Sequence, residues 1–328
     1  MKKDELTLVR EIRERFSFPE NIGIGIGDDS AVLNFKQPAL LTTDLMIEDV
    51  HFDLSYTSFY HLGFKIVSVN VSDIYAMGGD FKAFLFSAGF PENISEKDFK
   101  EVFDGIDDAL KHYGGFLAGG DLSKSEKIVL SGFAVGEAEK PVLRKGAEPE
   151  DLIFITSYLG LSAAGFYFLK SLPDNERKVI KSMKDLKKNA DFIKIKGLNE
   201  LLQRHLMPLA RNPAKFRHIA KAMMDISDGL LIDLHRLCEE NNVGAEIYID
   251  KIPKHPAVIK AGENLGIDPM KLFLSGGEDY ELLVISDRQD AEKFGLIPVG
   301  KIIKEKGLYL IDPFKGKIPI KPEGWQHF

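Results

Sequence analysis

The sequence predicts two layered domains, each of α+β or α/β class, that share one chain. A length of 328 residues is enough for two ordinary domains, each with its own hydrophobic core. The predicted helices and strands are mixed but do not alternate regularly, which argues against a TIM barrel or a Rossmann fold. A polar segment at 136–141, GEAEKP, indicates the boundary between the domains.

Apolar periodicity predicts the elements before this boundary. Residues 2–16 have one apolar stripe, which is typical of an amphipathic helix, and residues 128–136 alternate like a half-buried strand. Ser95 is an N-cap residue and Gly114-Gly115 a C-terminal stop, and together they define a helix with one apolar face. The remaining expected elements are a short buried strand at 39–43 that opens into Asp44, a helix at 59–77 and a strand at 81–90.

The same reasoning predicts the elements after the boundary. The lysine-rich stretch at 174–197 is expected to be a solvated helical insertion, and Ser227 is expected to cap a helix at 228–240. The other expected elements are a strand at 152–156, a helix at 162–171, and strands near 245–249, 280–285, 297–302 and 307–311.

Composition excludes several classes of protein. The net charge of −7 argues against a general nucleic-acid surface. No apolar run approaches the ~20 residues of a membrane helix, and the charged N-terminus lacks the apolar region of a signal peptide. The one cysteine, Cys238, excludes an intrachain disulfide and a multi-cysteine metal cage. We therefore expect a cytoplasmic protein without nucleic-acid or membrane partners.

The common nucleotide-binding signatures are missing. The chain has no G-x-x-x-x-G-K-[ST] segment, its glycines at 23, 25 and 27 do not fit G-x-G-x-x-G, and the protein-kinase motifs are absent.

A set of aspartates, each next to glycine or a hydroxyl residue, stands out instead. Carboxylate and hydroxyl oxygens are ligands that Mg²⁺ prefers, although aspartate beside glycine is also a common turn former or helix cap. The turn-forming interpretation is favoured for Asp29, Asp49 and Asp53. The candidate segments are Gly27-Asp28-Asp29, Thr42-Thr43-Asp44, Ser72-Asp73, Gly119-Gly120-Asp121 and Asp225-Ile226-Ser227-Asp228-Gly229.

A series of motifs in a fixed order resembles the thiamine-monophosphate kinase family, within a superfamily that includes aminoimidazole-ribotide synthetase and selenophosphate synthetase. The resemblance extends from about residue 22 to Trp325, and TTDLMIEDVHF and SGGEDYELL are its most particular parts. The motifs are GIGDDSAVL, TTDLMIEDVHF, VNVSDIYAMGG, AGGDLSKS, VLRKGAEPEDLIFIT, LGLSAAG, MDISDGLLIDL and SGGEDYELL.

The resemblance implies an aminoimidazole-ribotide-synthetase-like fold, with an N-terminal ATP- and magnesium-binding domain at 1–137 and a C-terminal α/β domain at 138–328. It also implies a homodimer, in which the N-terminal sheets of two subunits pair into a β-barrel. The implied reaction is the transfer of the ATP γ-phosphate to thiamine monophosphate, which gives thiamine diphosphate and ADP.

Site residues follow from the resemblance, position by position. The implied magnesium ligands are Asp28, Thr42, Thr43, Asp44, Asp73, Asp121, Asp225 and Asp228. The implied ATP contacts are Tyr113, Gly120, Asp121, Arg144 and Ser227. The implied contacts to thiamine monophosphate are His51, Glu278 and Trp325. Leu122 departs from the family, which usually has threonine there, so any hydroxyl role must be absent or belong to Ser123.

The expected chemistry needs several magnesium ions but no catalytic side chain, because a phosphate oxygen is already an anionic nucleophile. Direct transfer without a phosphoenzyme is therefore expected. Two alternatives remain open: another ATP-dependent synthetase of the same superfamily, or a non-catalytic protein that binds divalent cations structurally.

Overall fold

The structure, a computed structural model, describes residues 5–16, 23–26, 30–184, 186 and 198–326. Its elements up to the predicted boundary are α1 (Glu5–Arg15), β1 (Gly23–Ile24), β2 (Val32–Leu33), β3 (Ala39–Ile47), α2 (Phe59–Ala76), β4 (Asp80–Phe90), α3 (Glu96–Tyr113), β5 (Phe116–Lys124) and β6 (Val129–Glu137). The later elements are β7 (Leu152–Ile155), α4 (Leu161–Ser171), α5 (Asp174–Lys181), α6 (Leu198–Leu206), β8 (Ala222–Ile226), α7 (Leu230–Asn241), β9 (Gly244–Tyr248), α8 (Pro256–Leu265), α9 (Pro269–Ser275), β10 (Glu281–Ser286), β11 (Ile297–Ile303), β12 (Gly307–Asp312) and β13 (Gly316–Ile320), with short 3₁₀ turns at Arg217–Ile219 and Ala291–Phe294.

The described chain divides into two compact units. The first takes in the described residues within 1–74, 79–140 and 173–184, and the second those within 75–78, 141–172 and 185–328. The first unit therefore includes α5, which lies well beyond the polar segment at 136–141.

A four-stranded sheet, ordered β3-β6-β4-β5, is the centre of the first unit. Strands β4 and β5 are parallel, and the other neighbours are antiparallel. Helix α3 packs against it through aromatic contacts: the ring of Phe99 lies 5.6 Å from that of Phe90, and Phe103 lies 5.7 Å from Phe86. The N-cap bond predicted from the sequence is present, since the Asp98 N–H donates to Ser95 Oγ at 3.0 Å.

Helix α5 packs on the first unit rather than lying in solvent, which corrects the prediction of a solvated insertion at 174–197. Ile180 and Met183 are buried. The fully buried His61 of α2 fixes this segment, because its Nε2 lies 2.8 Å from the Met183 carbonyl oxygen, while its Nδ1 accepts from the Ser58 N–H at 3.3 Å. Residues 187–197 lie outside the described part of the chain.

The second unit is built on a seven-stranded mixed sheet, ordered β13-β12-β9-β11-β7-β10-β8. Strand β10 lies near one edge and is buried along its whole length. One core cluster joins Phe154 of β7, Met223 of β8 and Val284 of β10. The carboxyl end of β8 and the amino end of β10 thus meet, as Leu282 pairs with Asp225.

Several elements differ from the sequence-based expectation. The elements that were not predicted are strands β1, β2, β5, β8 and β13 and helices α6, α8 and α9. Strand β5, FLAGGDLSK, contains glycine and polar residues that hide its alternation. Ser227 is not the cap of α7: the N-cap is Gly229, at φ 126°, and no side chain caps it from that position. No helix in the described ranges has the length and apolar character needed to cross a membrane.

Stability is expected to depend on pH through His61. Burial lowers the pKa of His61 from 6.5 to about 4, against the opposing bond to Met183. The unfolded chain therefore binds more protons than the folded one between these values, and stability falls as the pH drops from about 6.5 to about 4, by on the order of 3 kcal/mol.

The variant His61→Gln cannot titrate, although its Nε2 can still donate to Met183. Urea unfolding of both proteins across this pH range measures the difference in their free energies of unfolding. We expect the free energy of unfolding of the wild type to fall relative to that of His61→Gln as the pH falls, because only the wild type has a titrating histidine at this position. A difference that stays constant with pH would contradict the prediction.

Candidate functional site

Strand β3 presents two different faces. Thr42 and Asp44 point toward α2, whereas Leu41 and Leu45 lie on the opposite face and are 63% and 47% exposed. This follows from the two-residue period of a strand. The inner face of β3 is therefore polar at the place where helix α2 crosses it.

Two carboxylates face each other on this inner surface. Thr42 Oγ1 donates to Asp73 Oδ2 at 2.5 Å, and the Asp44 N–H donates to Asn70 Oδ1 at 3.1 Å. Burial, and then the charge of Asp73, raise the pKa of Asp44 to about 7. Two like charges in a partly buried place are unfavourable unless a cation neutralises them. A divalent cation would remove this conflict.

Asp121 lies on the other edge strand of the same sheet. Asp44 pairs with Gly132 on β6, Gly132 with Phe86 on β4, and Phe86 with Gly120 on β5. Asp121, the residue after Gly120 on β5, is exposed. Strand β5 lies roughly 14 Å from β3, because three ordinary strand spacings separate them. Since Mg²⁺ holds its ligands at about 2.1 Å, one ion cannot join Asp44 and Asp121 of this sheet.

The described residues contain no group of three or more His, Cys, Asp or Glu side chains positioned to hold a metal. Asp28, the remaining expected ligand of the first unit, lies outside the described residues. Thr43 is on the outer side of β3, and its Oγ1 donates to the Gly132 carbonyl at 2.8 Å. The expected ligands near α2 that come together are therefore Thr42, Asp44 and Asp73.

The turn after β3 contains His51. Its Nδ1 accepts from the Ile47 N–H at 3.1 Å, so the ring proton belongs on Nε2. Asp49 has a positive φ of 65° and pairs with Lys127, and Asp53 accepts from the Ser55 N–H, so both are turn residues here. Asp29 lies outside the described residues.

Tyr113 ends helix α3 in the first unit. Its hydroxyl donates to Ser68 Oγ of α2 at 3.0 Å. Leu122, where the family usually has threonine, pairs with Ala88 in the sheet.

In the second unit, the turn between β8 and α7 has three backbone N–H groups aimed at one oxygen. The N–H groups of Ser227, Asp228 and Gly229 donate to Asp233 Oδ2 at 3.1, 3.0 and 3.1 Å. Burial and the nearby Asp228 raise the pKa of Asp233 to about 6, although the N–H groups and Arg236 oppose this. The Asp233 carboxylate thus fixes the conformation of this turn, Ser227-Asp228-Gly229, which we call the SDG turn.

Arg236 links the two acidic residues of this turn. Its Nη1 donates to Asp228 Oδ2 at 2.5 Å and to Asp233 Oδ1 at 2.8 Å. Asp225 is buried near the end of β8. The Trp325 N–H donates to the Asp228 carbonyl at 3.0 Å, and the indole side chain is half exposed.

The loop containing Arg144 is held by a side chain at the end of α7. Asn241 Oδ1 accepts from the Gly146 and Ala147 N–H groups at 2.7 and 3.0 Å, and its Nδ2 donates to the Arg144 carbonyl at 2.8 Å. An open groove of about 430 Å³ beside this loop is lined by Arg144, Arg236, Glu239 and Glu240.

The segment SGGEDYE begins with the last residue of α9 and ends with the first residue of β10. The loop between them, residues 276–280, is called the acidic loop. Glu278 has a positive φ of 62°, and its Oε2 lies 3.2 Å from His205 Nδ1. Burial raises the pKa of Asp279 to about 7, although Arg204 and two backbone N–H groups oppose this.

Comparison with known proteins identifies the family. Residues 27–138 match "AIR synthase related protein, N-terminal domain", and residues 148–312 match "AIR synthase related protein, C-terminal domain". The thiamine-monophosphate kinase of Aquifex aeolicus (strain VF5) is 35% identical over 308 residues, 92% of each chain. That of Bacillus subtilis (strain 168) is 30% identical over 343 residues, 99% of each chain.

The chain belongs to the thiamine-monophosphate kinase family.

A solved structure described as "AaThiL complexed with AMPPCP and TMP" is similar to it with a TM-score of 0.75 and 32% identity, over 99% of this chain and 97% of that one. The resemblance read from the motifs is thus confirmed, as is the two-domain α+β fold of this kinase family.

Sequence reasoning missed the side chains that hold the kinase motifs in place. Asp233, Arg236 and Asn241 all lie on α7, and His205 lies on α6. Asp233 and Arg236 lie three residues apart in the sequence after the SDG turn, a spacing that places both on one side of a helix. Asn241 and His205 gave no such signal, because their partners are distant in the sequence.

The variant Asp233→Ala is expected to destabilise the protein by about 2–4 kcal/mol, because it leaves three buried or partly buried N–H donors without their acceptor. Glu239→Ala is the matched control on the same helix: the Glu239 side chain is 70% exposed and pairs with His235, so its loss should be near neutral. Urea unfolding measures both. Equal effects would contradict the role given to Asp233.

Proposed function

We propose that this protein transfers the γ-phosphate of ATP to thiamine monophosphate, with thiamine diphosphate and ADP as products. The observation that supports this most directly is the full-length match, at 30–35% identity, to proteins named thiamine-monophosphate kinase. The similar solved structure holds AMPPCP, an ATP analogue, together with TMP.

The residues near α2 have the chemistry that magnesium requires. Two carboxylates and a hydroxyl lie together where the inner face of β3 meets α2, and burial, followed by the charge of Asp73, raises the pKa of Asp44. Bound Mg²⁺ would supply charge neutralisation for the phosphates. The full proposed set of ligands is Asp28, Thr42, Thr43, Asp44, Asp73, Asp121, Asp225 and Asp228.

More than one ion is proposed, because Asp44 and Asp121 lie on opposite edge strands. The side chains hold cations and substrates in line and need not form a covalent bond. The acceptor phosphate is itself the nucleophile, so we assign no catalytic side chain and propose direct transfer.

Five residues are proposed for ATP. Arg144 is suited to phosphate because its guanidinium group can donate two parallel hydrogen bonds, and Asn241 fixes its loop. Ser227 belongs to a turn that is already held by Asp233. Tyr113, Gly120 and Asp121 complete the proposed ATP contacts.

His51, Glu278 and Trp325 are proposed for thiamine monophosphate. The thiazolium ring of that substrate is cationic, so a carboxylate and an aromatic face are suitable partners. Trp325 is 53% exposed and anchored through its backbone to Asp228, which leaves its indole accessible to a ligand.

A homodimer is proposed from the outer face of the first unit's sheet. Leu41, Leu45 and Phe133 expose apolar side chains there, and they lie on one face by strand register. A second sheet of the same kind would bury this surface and complete a β-barrel across the dimer. Use of ATP supports a cytoplasmic location.

Two other functions deserve a test. A different synthetase of the superfamily would consume ATP but would not phosphorylate thiamine monophosphate. A structural cation-binding protein would bind Mg²⁺ without ATP turnover.

We expect thiamine diphosphate and ADP to form when the protein is incubated with ATP, Mg²⁺ and thiamine monophosphate. The rate should continue to rise after Mg²⁺ exceeds ATP, since the proposed carboxylates outnumber what one Mg-ATP needs. Chromatography of the products at increasing Mg²⁺ measures both. Absence of thiamine diphosphate would refute the proposed function, and saturation at equimolar Mg²⁺ would refute the additional ions.

A further inference from the structure

The acidic loop has an unusual backbone that is fixed against the end of β8. Glu278 and Tyr280 have positive φ angles of 62° and 51°, which residues other than glycine adopt at a cost. The Glu278 N–H donates to the Ser227 carbonyl at 2.6 Å, and the Tyr280 N–H donates to the Ile226 carbonyl at 2.9 Å. These bonds hold the strained segment in one conformation.

Asp279 connects the acidic loop to helix α4. Its carboxylate is fully buried and accepts from the Gly160 N–H at 2.6 Å and the Ser162 N–H at 3.3 Å. These N–H groups lie at the N-terminus of α4, where helices have donors without intrahelical partners. The loop is thereby fixed at a second point.

Glu281, the first residue of β10 directly after the acidic loop, connects this segment to basic residues that follow α4. Arg211 makes a two-bond contact with it at 2.6 and 2.8 Å, and Arg204 Nη1 lies 2.7 Å from its Oε1. Thr156 Oγ1 also donates to it, at 2.6 Å. Glu281 is buried, so these charge-assisted bonds are strong constraints.

His205, next to Arg204 on α6, contacts Glu278, the third acidic residue of this segment. Its Nδ1 lies 3.2 Å from Glu278 Oε2 and 3.1 Å from Ser162 Oγ. The ring is buried because α6 packs closely on α4 at Gly165, where a Cβ atom would lie 2.4 Å from the Leu201 carbonyl.

We propose that His205 is a positioning residue for thiamine monophosphate, which acts by holding Glu278 Oε2 so that this carboxylate faces the cationic part of the substrate. This inference rests on the proposed function and on Glu278 as a substrate contact. The Glu278 side chain is 32% exposed, so a ligand can reach the carboxylate while His205 holds one of its oxygens. A carboxylate already oriented by a buried donor loses little freedom on binding.

Three variants separate positioning from packing. His205→Phe keeps a buried ring beside Phe166 but removes the donor, and it should raise the KM for thiamine monophosphate about tenfold, with KM for ATP and kcat within about twofold. His205→Asn keeps a donor near the Nδ1 position and should restore KM to within about threefold of the wild type. Leu202→Ala, in the same helix and fully buried, should lower Tm without changing this KM.

The combination with Glu278→Gln decides whether His205 acts through Glu278. We expect Glu278→Gln alone to raise the KM for thiamine monophosphate, and His205→Phe to add nothing further in that background. Additive effects, or a His205→Phe protein with an unchanged KM, would overturn the inference and leave the kinase function intact.

Other outcomes distinguish failure of this inference from failure of the proposed function. If Glu278→Gln leaves the KM unchanged, Glu278 does not contact the substrate and the inference falls with that assignment. If His205→Phe raises both KM values equally, or lowers Tm as Leu202→Ala does and is not rescued by asparagine, the role of His205 is packing alone. A wild-type protein that makes no thiamine diphosphate would refute the proposed function itself.

Discussion

The facing carboxylates of Asp44 and Asp73 are the constraint on which the first unit depends. Strand β3 must keep its register so that Asp44 and Thr42 point toward α2, because a shift by one residue would turn Leu41 and Leu45 inward. Gly132 is needed beside them, since a Cβ atom there would lie 2.2 Å from Asn70 Nδ2. The fold thus maintains an unfavourable pair of charges that a bound cation would stabilise.

In the second unit, polar side chains hold irregular loops rigid near the residues proposed to bind substrates. Asp233 holds the SDG turn, Asn241 holds the Arg144 loop, and Asp279 and Glu281 hold the acidic loop. Because these hydrogen bonds are made within the protein itself, the loops are ordered before any substrate binds. Preorganised groups stabilise phosphate charge without further rearrangement.

The sequence predicted much of the fold where local signals agreed. Ser95, Gly114 and the apolar face between them define α3 as the structure has it. Prediction failed where tertiary contacts outweigh local preference: β5 contains Gly119-Gly120 yet pairs with β4 along its length, and α5 packs on its unit although its sequence is highly charged. The family motifs predicted the residues of the candidate site. Supporting residues such as His205 could not be predicted from the sequence, because only the fold brings their partners near.

Thermal unfolding of the wild type and Asp44→Asn, with and without Mg²⁺, tests the central claim most directly. Without Mg²⁺ and above pH 7, where Asp44 is mostly ionised, we expect the variant to unfold at the higher temperature, because it removes one of two facing charges. Saturating Mg²⁺ should raise the Tm of the wild type and have much less effect on the variant, since ligands that bind the folded state stabilise it. An equal Mg²⁺-induced rise in both proteins, or a variant that is less stable without Mg²⁺, would contradict the account.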